Sequence, residues 1–558
     1  MRTTLLAALA LAAPLAHAQP DFVFVNARVY TVDDRFTVAQ AFAVEDGMFA
    51  TIGSNEDVRA TIGSSTKVID LGGRTVLPGL IDAHGHMAGL GQLQLGVLDL
   101  AGTASYDEVI HRVIQRAEQA EPGEWIIGRG WDHESWPDKE LPTHERLSQA
   151  VPDNPVWLSR VDGHAGLGNA RAMELAEVSE GSSAPSGGEM LRDQDARPTG
   201  VFVDNAMAMI GRVIPAGGAS GEDLILAAQK LCLEAGLTGV HDARVGADMI
   251  EVYQRLERER KLHVRVFGMV RGNQAMQWFD EHEPYTGSFF SMRATKLYID
   301  GAMGSRGAWL LEPYSDRPTD AEGKPYTGLA VTEPDFVKAV AEHALTKGYQ
   351  VCTHAIGDRG NRELLDAYES AATSLDADLR AARFRIEHAQ LIAPEDIGRF
   401  AELGVIPSMQ PTHCTSDMRW VEERVGPVRA DGAFVWQTLL ASGARIAGGS
   451  DFPVESHNPF LGLYAAVSRQ NLDEQPPGGW HPSERMSRLQ ALRAFTIDAA
   501  HAAFDEHRIG SIETDKLADF IVIDRDYMTC PTREIADIRV VATYVEGFPV
   551  YMNPELAK

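Results

Sequence analysis

Cysteine is scarce: Cys232, Cys352, Cys414 and Cys530 are the only four in 558 residues, they lie far apart, and none forms a Cys-x-x-Cys pair. That argues against a zinc–thiolate cluster and against a dense disulfide framework; buried free thiols are expected, with one disulfide left open by an oxidising compartment. Basic residues are also in deficit, 51 Lys and Arg against 79 Asp and Glu, for a formal net charge of −28. Nucleic acid and anionic lipid both need clustered Lys and Arg, so neither is an expected partner, and the acidity reads as solubility. Beyond the N-terminus no stretch approaches the ~20 apolar residues of a membrane helix. No Gly-x-Gly-x-x-Gly follows a strand-like run either, which disfavours an open dinucleotide-binding sheet.

What is present is an ordinary globular composition, 44% hydrophobic and 23% charged, in a chain long enough for several domains. Residues 1–18 read as a secretory signal: Arg2, then LLAALALAAPLA, then Ala16-His17-Ala18, with no cysteine at the cleavage point to carry a lipid. The mature protein is expected to be periplasmic or secreted, free of the membrane, with a small-molecule substrate and with homo-oligomerisation left open.

Residues 19–75 contain short β segments broken by Asp-Gly and Gly-Ser turn signals, and residues 505–558 repeat that character. Together they predict a small β-sandwich domain built from both termini, with its strands pairing antiparallel. Between them, residues 76–504 alternate strands and helices. Strands are placed at the end of LPGLIDAHGH and at 238–242, 264–269, 295–299, 350–354, 384–388, 405–410 and 444–451, with helices at 222–235, 333–347, 361–375 and 394–403. Eight strands in such alternation give an α/β fold of the TIM-like (β/α)8 barrel type. The first gap is too long for one crossover helix, so residues from about 98 to 212 form an inserted lid subdomain over the active-site face.

Barrel chemistry sits at the C-terminal ends of strands. His84 and His86 follow the first strand, Lys296 lies in the fourth, His354 ends the fifth, His388 the sixth and Asp451 the eighth. Alternation puts His84 and His86 on one side, where neutral imidazoles can share a metal ion. It likewise puts Lys296, Tyr298 and Asp300 on one face, and it sends Arg385 and Glu387 outward, with a mutual ion pair as their only account.

Taken together, LPGLIDAHGH, KLYIDGAMGSRGAWL, THAIGDRGN, RIEHAQL and GGSDFPVESHNPF resemble the amidohydrolase superfamily, and more closely its family-3 or YtcJ-like branch. The resemblance implies that His84, His86 and Asp451 hold one divalent cation and His354 and His388 a second, both expected to be zinc. A carboxylated Lys296 would bridge them; plain pairing of Lys296 with Asp300 is the alternative. It implies a hydrolase opening a carbon–nitrogen bond of a non-peptide amide or N-acyl compound with metal-bound hydroxide, Asp451 acting as general acid and base. A deaminase, cyclic-amide hydrolase or esterase would use the same site, and an inactive metal-binding scaffold is the competing class. In RVDGHAGLGN, Asp162 and His164 match a pattern typical of the branch, so His164 is a lid contact to substrate or else part of a loop fixed by turn hydrogen bonds. Arg306 either binds a substrate carbonyl or carboxylate or is a solvated loop arginine.

Overall fold

In the computed structural model, which describes residues 19–215 and 218–556, eight parallel strands form a nearly closed barrel. They are β1 (Leu80–Gly85), β2 (Leu237–Val245), β3 (Arg265–Arg271), β4 (Phe290–Tyr298), β5 (Gln350–Ala355), β6 (Arg385–His388), β7 (Ile406–Met409) and β8 (Ala447–Gly448). The signal segment expected at residues 1–18 lies outside the described residues. Among those described, no helix is long and apolar enough to cross a membrane.

Strands β1, β5, β6 and β7 are buried along their whole length, as strands covered on both faces must be. β8 is shorter than predicted, because the chain leaves the sheet at Gly449-Ser450-Asp451. Closure is made there by side chains: the Asp82 carboxylate accepts from the backbone N–H of His84 and of Ser450 at 3.0 Å each and from the Ser450 hydroxyl at 2.6 Å. A Cβ on Gly449 would lie 2.7 Å from Asp82 Oδ1 and from the His84 nitrogen, so only glycine admits this approach.

Helices Gly221–Glu234, Pro334–Lys347, Asp358–Leu375 and Pro394–Leu403 cover the outside of the barrel. Between β1 and β2, six strands from Leu98–Asp99 to Pro198–Asp204 form a separate mixed sheet with its own core around Trp131, Leu158 and Val201.

The termini build two packed sheets of four and six strands. Phe24, Phe42, Phe520 and Tyr544 interlock between them, with Phe24 edge-on to Phe520 at 5.0 Å. The expectation of antiparallel pairing holds only in part. Phe22–Val25 runs parallel to Lys67–Asp70 and Arg28–Tyr30 parallel to Thr75–Pro78, because the chain crosses between the two sheets instead of turning back as a hairpin. All four cysteines are free, so the disulfide left open above is not formed.

Candidate metal centre

The ends of the barrel strands bring one carboxylate, four imidazoles and an amine together. His86 Nε2 lies 2.9 Å and His84 Nε2 3.6 Å from Asp451 Oδ1. Ligand atoms of His84, His388 and Asp451 all fall within 4.8 Å of one another. The His388 ring is 4.9 Å from that of His84 and 4.5 Å from that of His354. Lys296 reaches the same space from β4; its charge acts on His84, His354 and His388, and its Nζ is buried without a hydrogen-bond partner. His388 and Asp451 both have left-handed backbone, φ 71° and 60°, which swings their side chains over the barrel mouth.

Each histidine is tethered by one ring nitrogen, leaving the other for the cleft. His84 Nδ1 pairs with the Glu387 carboxylate, His86 Nδ1 with the Ala243 carbonyl at 3.0 Å and His388 Nδ1 with Gln410 Oε1 at 2.7 Å. His354 uses Nε2, which lies 3.4 Å from the Gly301 carbonyl. Such outer contacts fix the tautomer and aim of metal-binding imidazoles. Burial, with Lys296 nearby, pulls the His84 pKa down to about 4, and burial with neighbouring cationic groups holds His354 and His388 well below the usual imidazole range. Burial opposes ionisation of Asp451, but the close approach of His86, His84 and His388 holds its carboxyl well below the usual range. Neutral imidazoles, a carboxylate and an amine without a hydrogen-bond partner are a donor set that fits divalent cations such as zinc.

Two expectations about this region change. Arg385 and Glu387 do not point outward: both are fully buried inside the barrel, with Arg385 Nε 2.7 Å from Glu387 Oε1. Arg385 also donates to the Ala83 carbonyl at 2.6 Å and the Ser408 hydroxyl at 2.8 Å. Simple alternation fails because His388 adopts left-handed backbone, so it and Glu387 both face the site. Lys296 does not pair with Asp300, whose carboxylate accepts instead from the backbone N–H groups of Ile356, Gly357 and Trp309 at 2.8–3.0 Å.

Above the centre, the insertion roofs a cavity of about 480 Å³ lined by His354, His388 and Asp451 below and by Arg129, Arg160 and His164 above. His164 Nδ1 is 2.6 Å from Asp204 Oδ1, and its ring is 4.8 Å from that of His354. Asp162 accepts from the His164 backbone N–H and pairs with Arg160. Arg306 is not among the lining residues; its Nη2 is engaged by Asp316 Oδ2 at 2.8 Å. Glu387 was expected outside the site, although the Glu beside the histidine in RIEH offered a signal, and Gln410, Asp204 and Arg129 were not singled out from the sequence.

The description of the amidohydrolase family matches residues 67–551, and the chain belongs to that family. It is 33% identical to Protein LONG AFTER FAR-RED 3 of Arabidopsis thaliana (96% of this chain, 93% of that one). It is 31% identical to the putative amidohydrolase YtcJ of Bacillus subtilis (94% and 98%) and 28% identical to the N-substituted formamide deformylase of Arthrobacter pascens (94% and 97%). A crystal structure of an uncharacterized metal-dependent hydrolase from Pyrococcus furiosus shares 29% identity at a TM-score of 0.70, covering 91% of this chain and all of that one. The protein is therefore a metal-dependent hydrolase of carbon–nitrogen bonds.

Proposed function

We propose that the protein hydrolyses a non-peptide N-acyl compound, a formamide or related amide, at a centre for two divalent cations, expected to be zinc. The observation that carries this reading is the convergence of four tethered histidines, Asp451 and a Lys296 amine without a hydrogen-bond partner beneath one cavity. The likeness to a formamide deformylase over nearly the whole chain supports the choice of bond. Bound there, the cations would polarise the carbonyl oxygen and acidify a water toward neutrality.

His84, His86 and Asp451 would hold one cation, His354 and His388 the other. Lys296 Nζ would bear a carbamate that serves as a further ligand there, which accounts for a buried amine with no hydrogen-bond partner. Asp451 would take a proton from the attacking water and return it to the departing nitrogen, which leaves as an amine. His164, oriented by Asp204, would contact the substrate from the insertion.

Metal analysis with a hydrolysis screen of formamides, amides, N-acyl amino acids and lactones tests the reading. About two divalent ions per chain and release of amine are expected; a fully active metal-free preparation would overturn it. Export is a further part of this reading and rests on residues 1–18 alone. Exported protein should begin near Gln19, and a retained Met1 would refute it.

A further inference from the structure

Three arginines line the cavity: Arg129, Arg160 and Arg419. Two are neutralised there, Arg160 by Asp162 and by Asp132 at 2.7 Å, and Arg419 by Asp132. Arg129 is different. Its Nη2 reaches only the Val161 carbonyl at 3.3 Å, its buried Nε has no hydrogen-bond partner, and no Asp or Glu among the described residues forms an ion pair with it. The strand Ile126–Trp131 that carries it bulges between Arg129 and Trp131, where Gly130 adopts φ 105°. Such a bulge re-aims a side chain, here toward the cavity.

A part-buried guanidinium with no carboxylate paired to it is costly, and arginine cannot escape the cost by losing its proton at neutral pH. Burial does pull the Arg129 pKa below its ordinary value, against the raising influence of Asp451, Asp162 and Asp99. Two further acids lining the cavity, Asp417 and Glu455, form no ion pair with it. Asp417 is fastened to Gln390 at 3.0 Å, with burial pushing its pKa up to about 7, and Glu455 accepts from Ser416 at 2.6 Å. An anion entering this cavity thus meets in Arg129 a guanidinium that no carboxylate occupies.

We propose that Arg129 is the receptor for a substrate carboxylate, so that the amide opened here belongs to an N-acyl amino acid or a similar N-acyl carboxylic acid. This rests on the amide-hydrolase reading above and narrows its substrate class. Arg129 offers a planar fork of donors, which suits a carboxylate held by two parallel hydrogen bonds.

The test compares N-formylphenylalanine with N-formylphenethylamine, which differ only in the carboxylate. The wild-type holoenzyme should favour the acid in kcat/KM, and Arg129→Gln should reduce that preference by about 10- to 100-fold, the scale of a lost charged hydrogen bond. Arg129→Lys should fall between them, since it keeps the charge without the fork. A binding measurement runs beside the kinetics: phenylacetate, at equal metal content, should bind the wild type more tightly than Arg129→Gln and lose that advantage at high salt. Equal phenylacetate affinity in both proteins, as a carboxylate seated on the metals alone would give, overturns the inference, as does an unchanged substrate preference. Failure of the wild type to hydrolyse either compound would overturn the amide reading instead, and the phenylacetate comparison would still decide whether Arg129 binds carboxylate.

Discussion

Replacing Glu387 by Gln keeps its volume but removes the charge that joins Arg385 to His84. Both side chains of the Glu387–Arg385 pair are fully buried, 2.7 Å apart at the Nε–Oε1 contact. Stripping one partner from such a pair costs about 3–5 kcal/mol. Arg385 would retain its bonds to Ala83, Ser408 and His241, so the cost should fall near the lower end, a loss that a domain stable by ~5–15 kcal/mol survives. The His84 tether is weakened separately, from a carboxylate to an amide oxygen like the one Gln410 presents to His388, and loss of an outer-shell contact of this kind is worth up to about 10- to 100-fold in metal affinity. Thermal melts of metal-stripped protein report the first quantity, and competition against a calibrated chelator reports the second. The double substitution Arg385→Met with Glu387→Gln removes the orphaned cation, so it should recover stability without recovering metal affinity. Wild-type metal affinity in Glu387→Gln would refute a role for the Glu387 charge in holding His84 and leave that charge as no more than the counter-charge of Arg385.

Asp451→Asn should lower turnover by ~10²-fold or more, the scale for losing a general acid or base; near-normal turnover would pass the proton role to another group, with His164 the first to examine. Lys296→Ala should lose metal and activity together and regain part of both with added formate or acetate, whereas two retained metals and near-normal turnover would make Lys296 structural. Asp519 grips Arg265 through two contacts, at 2.6 and 3.0 Å, where the terminal β domain meets the barrel. Asp519→Asn leaves that buried guanidinium with Glu546, 3.2 Å away, as its remaining counter-charge and should cost near the lower end of about 3–5 kcal/mol in urea unfolding, and a change below 1 kcal/mol would refute the assignment.

The alternation of strands and helices was legible because a barrel strand is buried on both faces, leaving continuous apolar runs such as residues 266–270 of β3. The β domain was legible as β structure but not in its pairing, since parallel neighbours such as Phe22–Val25 and Lys67–Asp70 carry no local turn signal. Arg385 and Glu387 were misplaced by alternation because the left-handed backbone at His388 interrupts the two-residue period. Arg306, read as a candidate substrate ligand, instead meets Asp316, a partner that nothing in GSRGAW announces. Arg129 was invisible as a candidate because its distinction is a missing partner, and that can be seen only when the surrounding carboxylates have been placed.

The sequence by itself determined which residue types reach the barrel mouth and in what order, since strand period and chain direction place His84, His86, Lys296, His354, His388 and Asp451 at one end of one sheet. Only the tertiary structure decided which nitrogen of each imidazole faces the cleft. That choice belongs to the group bonded to the other nitrogen, and for His84 the group is Glu387, 303 residues further along the chain. Contacts of that span arise when the sheet closes and leave no trace in local sequence.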